Sequence, residues 1–313
     1  MTYPTPYLSI VSPVYLAENI VDELVRRIKD EISGITSNYE IILVEDGSID
    51  KSWQKIEENC KIDERVKGIK LSRNFGQHYA ISAGLCESRG DYVVVLDCDL
   101  QDNPTYISDL LNKSLEGYEI VYTYHEIREH GKYKDFFAGL FHHIFNWLVD
   151  NDNLQSNLRI GSYSLLTRKV VEAFCRFNDY HRHYLSILRW LGFSKSYINI
   201  RHEKRYNGQT SYSFDKLVTL AIDGIVSQTD KVLRFSIFTG FLFASLGFIS
   251  TILIVVRYFT TGFQAGWASI SVLIVFSTGL ILASLGIVGI YVGKIFEQAK
   301  GRPLYIIDER INM

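Results

Sequence analysis

The chain has 313 residues, with 33 Lys+Arg against 35 Asp+Glu, a formal charge of -2 and 47% hydrophobic residues. That length is enough to bury one large core or two smaller ones, the near-neutral balance excludes a general nucleic-acid binder, which needs a basic excess, and 13% aromatics beside 22% charged residues exclude wholesale disorder. A mean hydropathy of +0.03 is high for so charged a chain and points to two unlike parts joined in one sequence.

LSIVSPV (8–14) is short, apolar and β-branched, and a polar–apolar helical pattern follows from about Glu18 to Ile32. EIILVED (40–46), VKGIKL (66–71) and DYVVVLD (91–97) repeat the strand signal, with helical patterns between them near 51–60 and 77–88. Continuous Val/Ile/Leu runs suit strands buried on both faces, so the alternation predicts an α/β fold with a mostly parallel sheet covered by helices. The four cysteines, Cys60, Cys86, Cys98 and Cys175, form no C-x-x-C pair, and reduced cytosolic thiols are expected.

Further along, Tyr133 to Val149 (YKDFFAGLFHHIFNWLV) reads as an amphipathic helix lying in a membrane interface, with packing against the sheet as the competing reading. His142 and His143 are adjacent and share no helix face, so they predict no metal pair. Phe235 to Val256 carries no charge, and neither does Tyr258 to Gly293. Both exceed the roughly 20 apolar residues a bilayer crossing takes, and spans are expected at about 235–256 and 267–291. Gly240, Ala244, Gly247 and Ala283, Gly286, Gly289 are spaced for close helix packing, and self-association into a homo-oligomer is expected through them. Lys231 and Arg234 precede the first span, Lys294, Lys300 and Arg302 follow the second, and only Arg257 lies between. The positive-inside rule then places both chain ends in the cytoplasm, on a multi-pass protein of the cytoplasmic (inner) membrane. Met1 to Tyr7 has no basic start and no apolar run, so no secretory leader is expected. The predicted division is a cytoplasmic domain over 1–230, a two-helix anchor over 231–294 and a cytoplasmic tail over 295–313.

In parallel α/β sheets ligands sit beyond the carboxyl ends of the strands, here just after residues 14, 44, 71 and 96. Pro13 and Tyr15 form a stiff turn whose ring could lie against a nucleotide base. Asp46, in EDGSID (45–50), could accept hydrogen bonds from a base edge or a ribose hydroxyl; an acidic turn capping the next helix through Ser48 or Asp50 fits the same residues. SRNFGQ (72–77) brings the cation of Arg73 to the same edge. DCDLQD (97–102) ends the fourth strand with two carboxylates in D-x-D spacing, which repel unless a cation sits between them. Oxygen ligands of this kind suit Mg²⁺ or Mn²⁺ shared with a diphosphate.

The set SPVY (12–15), VEDGSID (44–50), LSRNFGQHYA (71–80), GDYVVVLDCDLQDNP (90–104) and KGRPLYII (300–307) resembles the family-2 glycosyltransferases acting on polyprenyl phosphates, the branch similar to dolichyl-phosphate mannose synthase. The resemblance covers nearly the whole chain. It implies a GT-A-type nucleotide-sugar domain, a nucleotide-sugar donor, a divalent metal, and transfer of one sugar to a lipid phosphate with inversion. Carried over, Asp97, Asp99 and Gln101 match the metal and diphosphate motif. Pro13, Tyr15 and Asp46 match the nucleotide pocket, with Arg73 nearby. Lys204 and Arg205, within RHEKRYNGQTSY (201–212), match a basic loop closing over the phosphates. Arg128, Lys132 and Lys134 fall where the family places cations for the acceptor phosphate; attraction to anionic lipid is the alternative. On this reading Asp99 and Arg205 contribute most directly to catalysis.

Two departures stand out. Leu16 and Ala17 replace the usual Asn-Glu after the Pro-x-Tyr turn, leaving Glu18 as the available carboxylate. Gly161-Ser162-Tyr163-Ser164-Leu165 stands where the family often has Gly-Asp-Phe-Arg-Leu, losing an acid and an arginine. A lipid phosphate is ionised at neutral pH, its second pKa being about 6, so its attack requires no strong general base. Other readings are a processive polysaccharide synthase and a non-catalytic nucleotide-sugar-binding membrane protein. Against the first, SILRW (186–190) lacks the Gln of a Gln-x-x-Arg-Trp motif; against the second, the D-x-D-x-Gln motif is intact.

Overall fold

A computed structural model of the chain describes residues 8–126, 158–180, 182–201, 231–261 and 266–313. The apolar runs become strands β1 (Leu8–Val14), β2 (Tyr39–Glu45), β3 (Val66–Leu71) and β4 (Tyr92–Val95). Helices α1 (Val21–Ser33), α2 (Ser52–Ile62) and α3 (Gln77–Glu87) alternate with them. After α4 (Ile107–Leu115) come β5 (Ile120–Glu126), β6 (Leu158–Thr167), α5 (Arg168–Cys175), α6 (Tyr184–Leu191) and β7 (Lys195–Asn199). Two long helices, α7 (Lys231–Thr261) and α8 (Trp267–Ala299), precede a last strand, β8 (Ile307–Ile311).

All eight strands form one sheet in the order β7-β5-β6-β4-β1-β2-β3-β8. The stretch β4-β1-β2-β3 is parallel, as the buried Val/Ile/Leu runs require, while β6 runs antiparallel to both β4 and β5, and β8 antiparallel to β3. β5 and β7 are again parallel to each other, so the sheet is mostly parallel as expected, with β6 and β8 running against the other strands. One cluster on Leu8, Ile10, Leu24, Ile28, Ile41, Leu43 and Val94 lies with α1, and a second on Val11, Ile42, Val44, Ile81, Val93 and Phe174 lies with α3 and α5. Val14 pairs with Glu45, so β1 and β2 end level and their following loops meet.

The segment after α8, read from the sequence as a tail, is an edge strand of this sheet. Asn312 donates its side-chain amide to Cys60 O and Val66 O at 2.8 and 2.9 Å, and Arg310 pairs with Glu87 at 2.8 Å. Residues 302–313 group with the α/β part, and α7 and α8 form a second compact unit. Within that second unit the Phe243 and Phe276 rings lie 5.5 Å apart. Helices of 31 and 33 residues run to about 45–50 Å. Among the described residues one stretch, Phe276–Ala299, is long and apolar enough to cross a membrane. The predicted interfacial helix at 133–149 lies outside the described residues.

The expectation of four reduced thiols is corrected at one pair: Cys86 and Cys175 are joined, with Cα atoms 5.6 Å apart. They are 89 residues apart in sequence and meet because α3 and α5 end side by side, which spacing alone does not reveal. Cys60 and Cys98 remain free.

At the amino edge of the sheet the buried Glu40 carboxylate accepts from Ser9 Oγ (2.6 Å), Arg89 N (2.7 Å) and Lys67 Nζ (2.5 Å). Burial pushes the Glu40 carboxyl up, but these donors outweigh it and hold it below its ordinary value. Removing one member of such a pair strands the other, so Glu40→Ala is expected to cost about 3–5 kcal/mol. Because the folded pKa is depressed, the stabilisation is present above about pH 4.5 and lost as pH falls below it. Urea unfolding should show the gap between parent and variant narrowing in acid.

At the carboxyl edge Gly47 has φ +66°, and a Cβ there would lie 2.2 Å from Asn74 N. Gly47→Ala is expected to cost about 2 kcal/mol or more. Gly47→Asn should do no better in thermal unfolding, since asparagine tolerates the backbone angle but not the collision.

Candidate active site

Four loops meet at the carboxyl edge. The turns after β1 and β2 are stitched together by side chains. Leu16 N donates to Ser48 Oγ (3.1 Å), Ala17 N to Ser52 Oγ (2.9 Å) and Glu18 N to Asp50 Oδ2 (3.2 Å). In return, Lys51 N donates to Glu18 Oε2 at 3.0 Å. The Glu18 carboxylate is therefore engaged with the start of α2. Asp50 also accepts from Ser52 N and Ser52 Oγ, so the capping reading of this turn holds for Asp50. Pro13 is buried within β1, and the Tyr15 ring is 47% exposed at the rim. Leu16 adopts φ 51° to make this turn, a left-handed conformation that costs a non-glycine residue free energy and commonly marks functional loops.

Asp46 is 2% exposed and reaches the third loop: its two oxygens accept from Phe75 N (2.8 Å) and Gly76 N (2.9 Å). Burial raises its pKa to about 6, against the lowering effect of those two amides. Asp46 thus acts within the fold as the latch of the Ser72–Gly76 loop. Arg73 in that loop is exposed, its guanidinium 4.1 Å from the Phe75 ring centroid and donating to Asn74 O.

The D-x-D motif lies immediately beyond β4. Asp97 accepts at Oδ1 from Gln77 Nε2 (2.8 Å) and at Oδ2 from Ser162 Oγ (2.7 Å). Burial raises its pKa to about 6, the Asp99 and Asp102 carboxylates push the same way, and the two donors oppose. Asp99 accepts from Gln101 N at 3.1 Å, in a turn where Leu100 adopts φ 57°. Cys98, between the two carboxylates, has its thiol pushed up to about 12 by burial and the neighbouring Asp97, so it stays protonated.

Among the described residues no group of three His, Cys, Asp or Glu side chains forms a complete metal site. Mg²⁺ characteristically binds through one or two carboxylates and completes its shell with water and substrate phosphates. A second carboxylate, Asp99, close enough to raise the proton affinity of Asp97, together with neutral donors around Asp97, fits a cation that is shared with a diphosphate.

The structure therefore brings Pro13, Tyr15, Asp46, Arg73, Asp97, Asp99 and Gln101 to one edge, and assigns Glu18 to the adjoining turn. Arg128, Lys132, Lys134, Lys204 and Arg205 lie outside the described residues. Sequence reasoning missed Gln77 and the use of Ser162. Gln77 was readable as the first residue of a helix following a strand-end loop; the contact of Ser162 depends on β6 lying beside β4, which no local signal encodes.

Residues 9–175 match glycosyl transferase family 2. An uncharacterised glycosyltransferase of Bacillus subtilis, YkcC, is 34% identical over 96% of this chain and 93% of its own. An undecaprenyl-phosphate 4-deoxy-4-formamido-L-arabinose transferase of Pseudomonas fluorescens is 30% identical over 98% of this chain and 90% of its own. Among solved structures, glucosyl-3-phosphoglycerate synthase of Mycobacterium tuberculosis, in complex with Mn²⁺ and UDP-glucose, superposes with a TM-score of 0.52. It covers 71% of this chain and 77% of its own at 14% identity, a likeness of fold. With its sheet edge, D-x-D turn and family match in agreement, the chain belongs to glycosyl transferase family 2 and is a glycosyltransferase.

Proposed function

We propose that this glycosyltransferase moves a single sugar from a UDP- or GDP-sugar to a polyprenyl phosphate of the undecaprenyl type at the cytoplasmic face of the membrane. The observation that carries the reading is the Asp97/Asp99 pair at the end of β4, facing the same edge as the Asp46-latched Arg73 loop. The relative that acts on undecaprenyl phosphate spans nearly the full length of this chain, and the fold neighbour binds Mn²⁺ with UDP-glucose. The apolar stretch Phe276–Ala299 supports a lipid acceptor. On this proposal α7 and α8 both span the bilayer, and their small residues permit a homo-oligomer.

In the proposed reaction a phosphate oxygen of the lipid attacks the anomeric carbon. A new C–O bond forms, and the bond to the diphosphate breaks, its electron pair leaving on the nucleoside diphosphate. Asp97, Asp99 and Gln101 would hold Mg²⁺ or Mn²⁺, which supplies positive charge to the leaving group. Tyr15 and Asp46 with its loop frame the nucleotide, and Arg73 adds a cation beside it. Arg128, Lys132, Lys134, Lys204 and Arg205 are assigned to the acceptor phosphate and the closing loop on the sequence alone. These residues then have one common task, to bring two anions together in line.

Full-length protein in detergent, given Mg²⁺ or Mn²⁺ and a panel of UDP- and GDP-sugars, should glycosylate a C55-type lipid phosphate. Asp99→Ala should lose transfer by at least about 100-fold; full activity in that variant would overturn the metal assignment, and failure of the whole panel would overturn the proposed reaction.

The raised pKa of Asp97 yields a second expectation. A carboxylate whose folded pKa is raised binds its proton more tightly in the folded than in the unfolded chain. Its ionised form therefore costs stability above about pH 6, and the cost disappears as pH falls toward the ordinary value of 3.8. Asp97→Asn should raise the thermal midpoint of the nucleotide-free protein at pH 7 while abolishing transfer. A lowered midpoint would show that the charge is fully compensated in the fold.

A further inference from the structure

We infer that Ser162 and Gln77 are positioning residues that orient the Asp97 carboxylate for the nucleotide and its cation, an inference that rests on the function proposed above. The two donors approach different oxygens of Asp97, Ser162 Oγ at 2.7 Å from Oδ2 and Gln77 Nε2 at 2.8 Å from Oδ1. Two hydrogen bonds to two oxygens fix the plane of a carboxylate, and each oxygen keeps a second lone pair for a ligand. Both donors are neutral. A lysine or arginine in either place would orient Asp97 equally well but would cancel the charge that attracts a cation and repel the cation itself.

The backbone of Ser162, which carries that hydroxyl, is itself held in place through its carbonyl oxygen. Ser164 Oγ donates to Ser162 O at 2.8 Å, and having spent its proton there it accepts from Tyr184 OH at 2.7 Å. Tyr184 is 1% exposed on α6, with its ring edge-on to Phe174. On the other side, Ser164 pairs with Val95 in the β4–β6 ladder, which fixes β6 against the strand that carries the D-x-D turn. Tyr184 and Ser164 thus brace the Ser162 main chain, and through it the side-chain hydroxyl that meets the first carboxylate of the motif. Ser162 and Ser164 are the two positions where the sequence departs from the acid and arginine of the sequences it resembles. The departure removes one charge of each sign and leaves two hydroxyls, Ser162 Oγ on Asp97 and Ser164 Oγ on the Ser162 main chain.

The test uses full-length protein in detergent, with Mn²⁺ and either UDP or GDP as probes. Mn²⁺ binding in the presence of the nucleotide is read by the loss of the free-ion electron paramagnetic resonance signal, beside the Mn²⁺ dependence of transfer. Ser162→Ala should weaken nucleotide-dependent Mn²⁺ binding by about 10- to 100-fold, the range for groups that orient metal ligands. Ser162→Thr restores the hydroxyl and should recover most of it, and Gln77→Ala should shift binding in the same direction as Ser162→Ala. Ser162→Ala and Gln77→Ala each leave Asp97 one donor short and should lower the thermal midpoint slightly. Ser162→Thr should keep the parent's midpoint, so recovery of both readouts in Ser162→Thr separates positioning from general loosening. Unchanged Mn²⁺ binding in Ser162→Ala, or a Ser162→Thr protein as weak as the alanine variant, would overturn the inference while leaving the proposed function standing. A parent protein that binds neither UDP nor GDP with Mn²⁺ would overturn both.

Discussion

The structure depends on holding negative charge at a partly buried edge without neutralising it. The two ends of the same sheet show the alternatives. At the amino edge Glu40 is matched by the Lys67 ammonium and two further donors, a closed arrangement that only stabilises. At the carboxyl edge Asp46 is held by two backbone amides and Asp97 by an amide side chain and a hydroxyl. Neutral donors give part of the stabilisation a cation would give and leave the net charge in place. The raised proton affinities of both aspartates measure what that arrangement costs the fold. On the proposed function, a cation bound with a diphosphate at this edge would recover that cost.

The other features of that edge follow from the same constraint. Because Asp46 must reach the backbone of the Phe75–Gly76 turn, the β2 loop and the β3 loop must touch, and Gly47 has no room for a side chain. Because Ser162 must reach Asp97, β6 must lie antiparallel beside β4, which makes the sheet mixed. The left-handed conformations at Leu16 and Leu100 sit in the two turns that follow β1 and β4. Strain of this kind persists only where surrounding bonds over-determine the backbone. The stitching of Leu16, Ala17 and Glu18 to Ser48, Ser52 and Asp50 supplies such bonds on the β1 side.

The part of this that the sequence made legible is the part governed by burial on both faces. The runs 8–14, 40–46, 66–71 and 91–97 are nearly unbroken Val, Ile and Leu, and the strands observed begin and end within a residue or two of them. The D-x-D turn was legible for the same reason, as polar residues following such a run. By contrast IVYTYHE (120–126), LRIGSYSLLT (158–167) and KSYIN (195–199) mix polar and aromatic residues, and they form one flank of the sheet. Their strand character comes from pairing with β4 and with each other rather than from composition. The role of Ser162 was illegible because it is set by that pairing. The Cys86–Cys175 link was illegible likewise, since the packing of two helix ends decides it.

β8 extends the reasoning to the far end of the chain. IDERI (307–311) is polar on three consecutive residues, as suits an exposed edge, and it pairs with β3 across a stretch of sequence that includes both long helices. Ser72 N donates to Ile306 O at 2.9 Å, one residue before Arg73, so the loop latched by Asp46 from within is also braced from the edge by the segment after α8. Tyr305 and Ile307 pack against the same core as α3, whose first residue is Gln77. The helices proposed to cross the membrane are therefore flanked in sequence by β7 and β8, strands of one sheet. An α/β unit ending before Lys231 would leave the β3 edge uncovered and the Ser72 amide without its acceptor. A lone edge of that kind costs hydrogen bonds and invites pairing with other chains. The last residues are thus part of the framework that shapes the candidate site, although they follow the apolar segment in the chain.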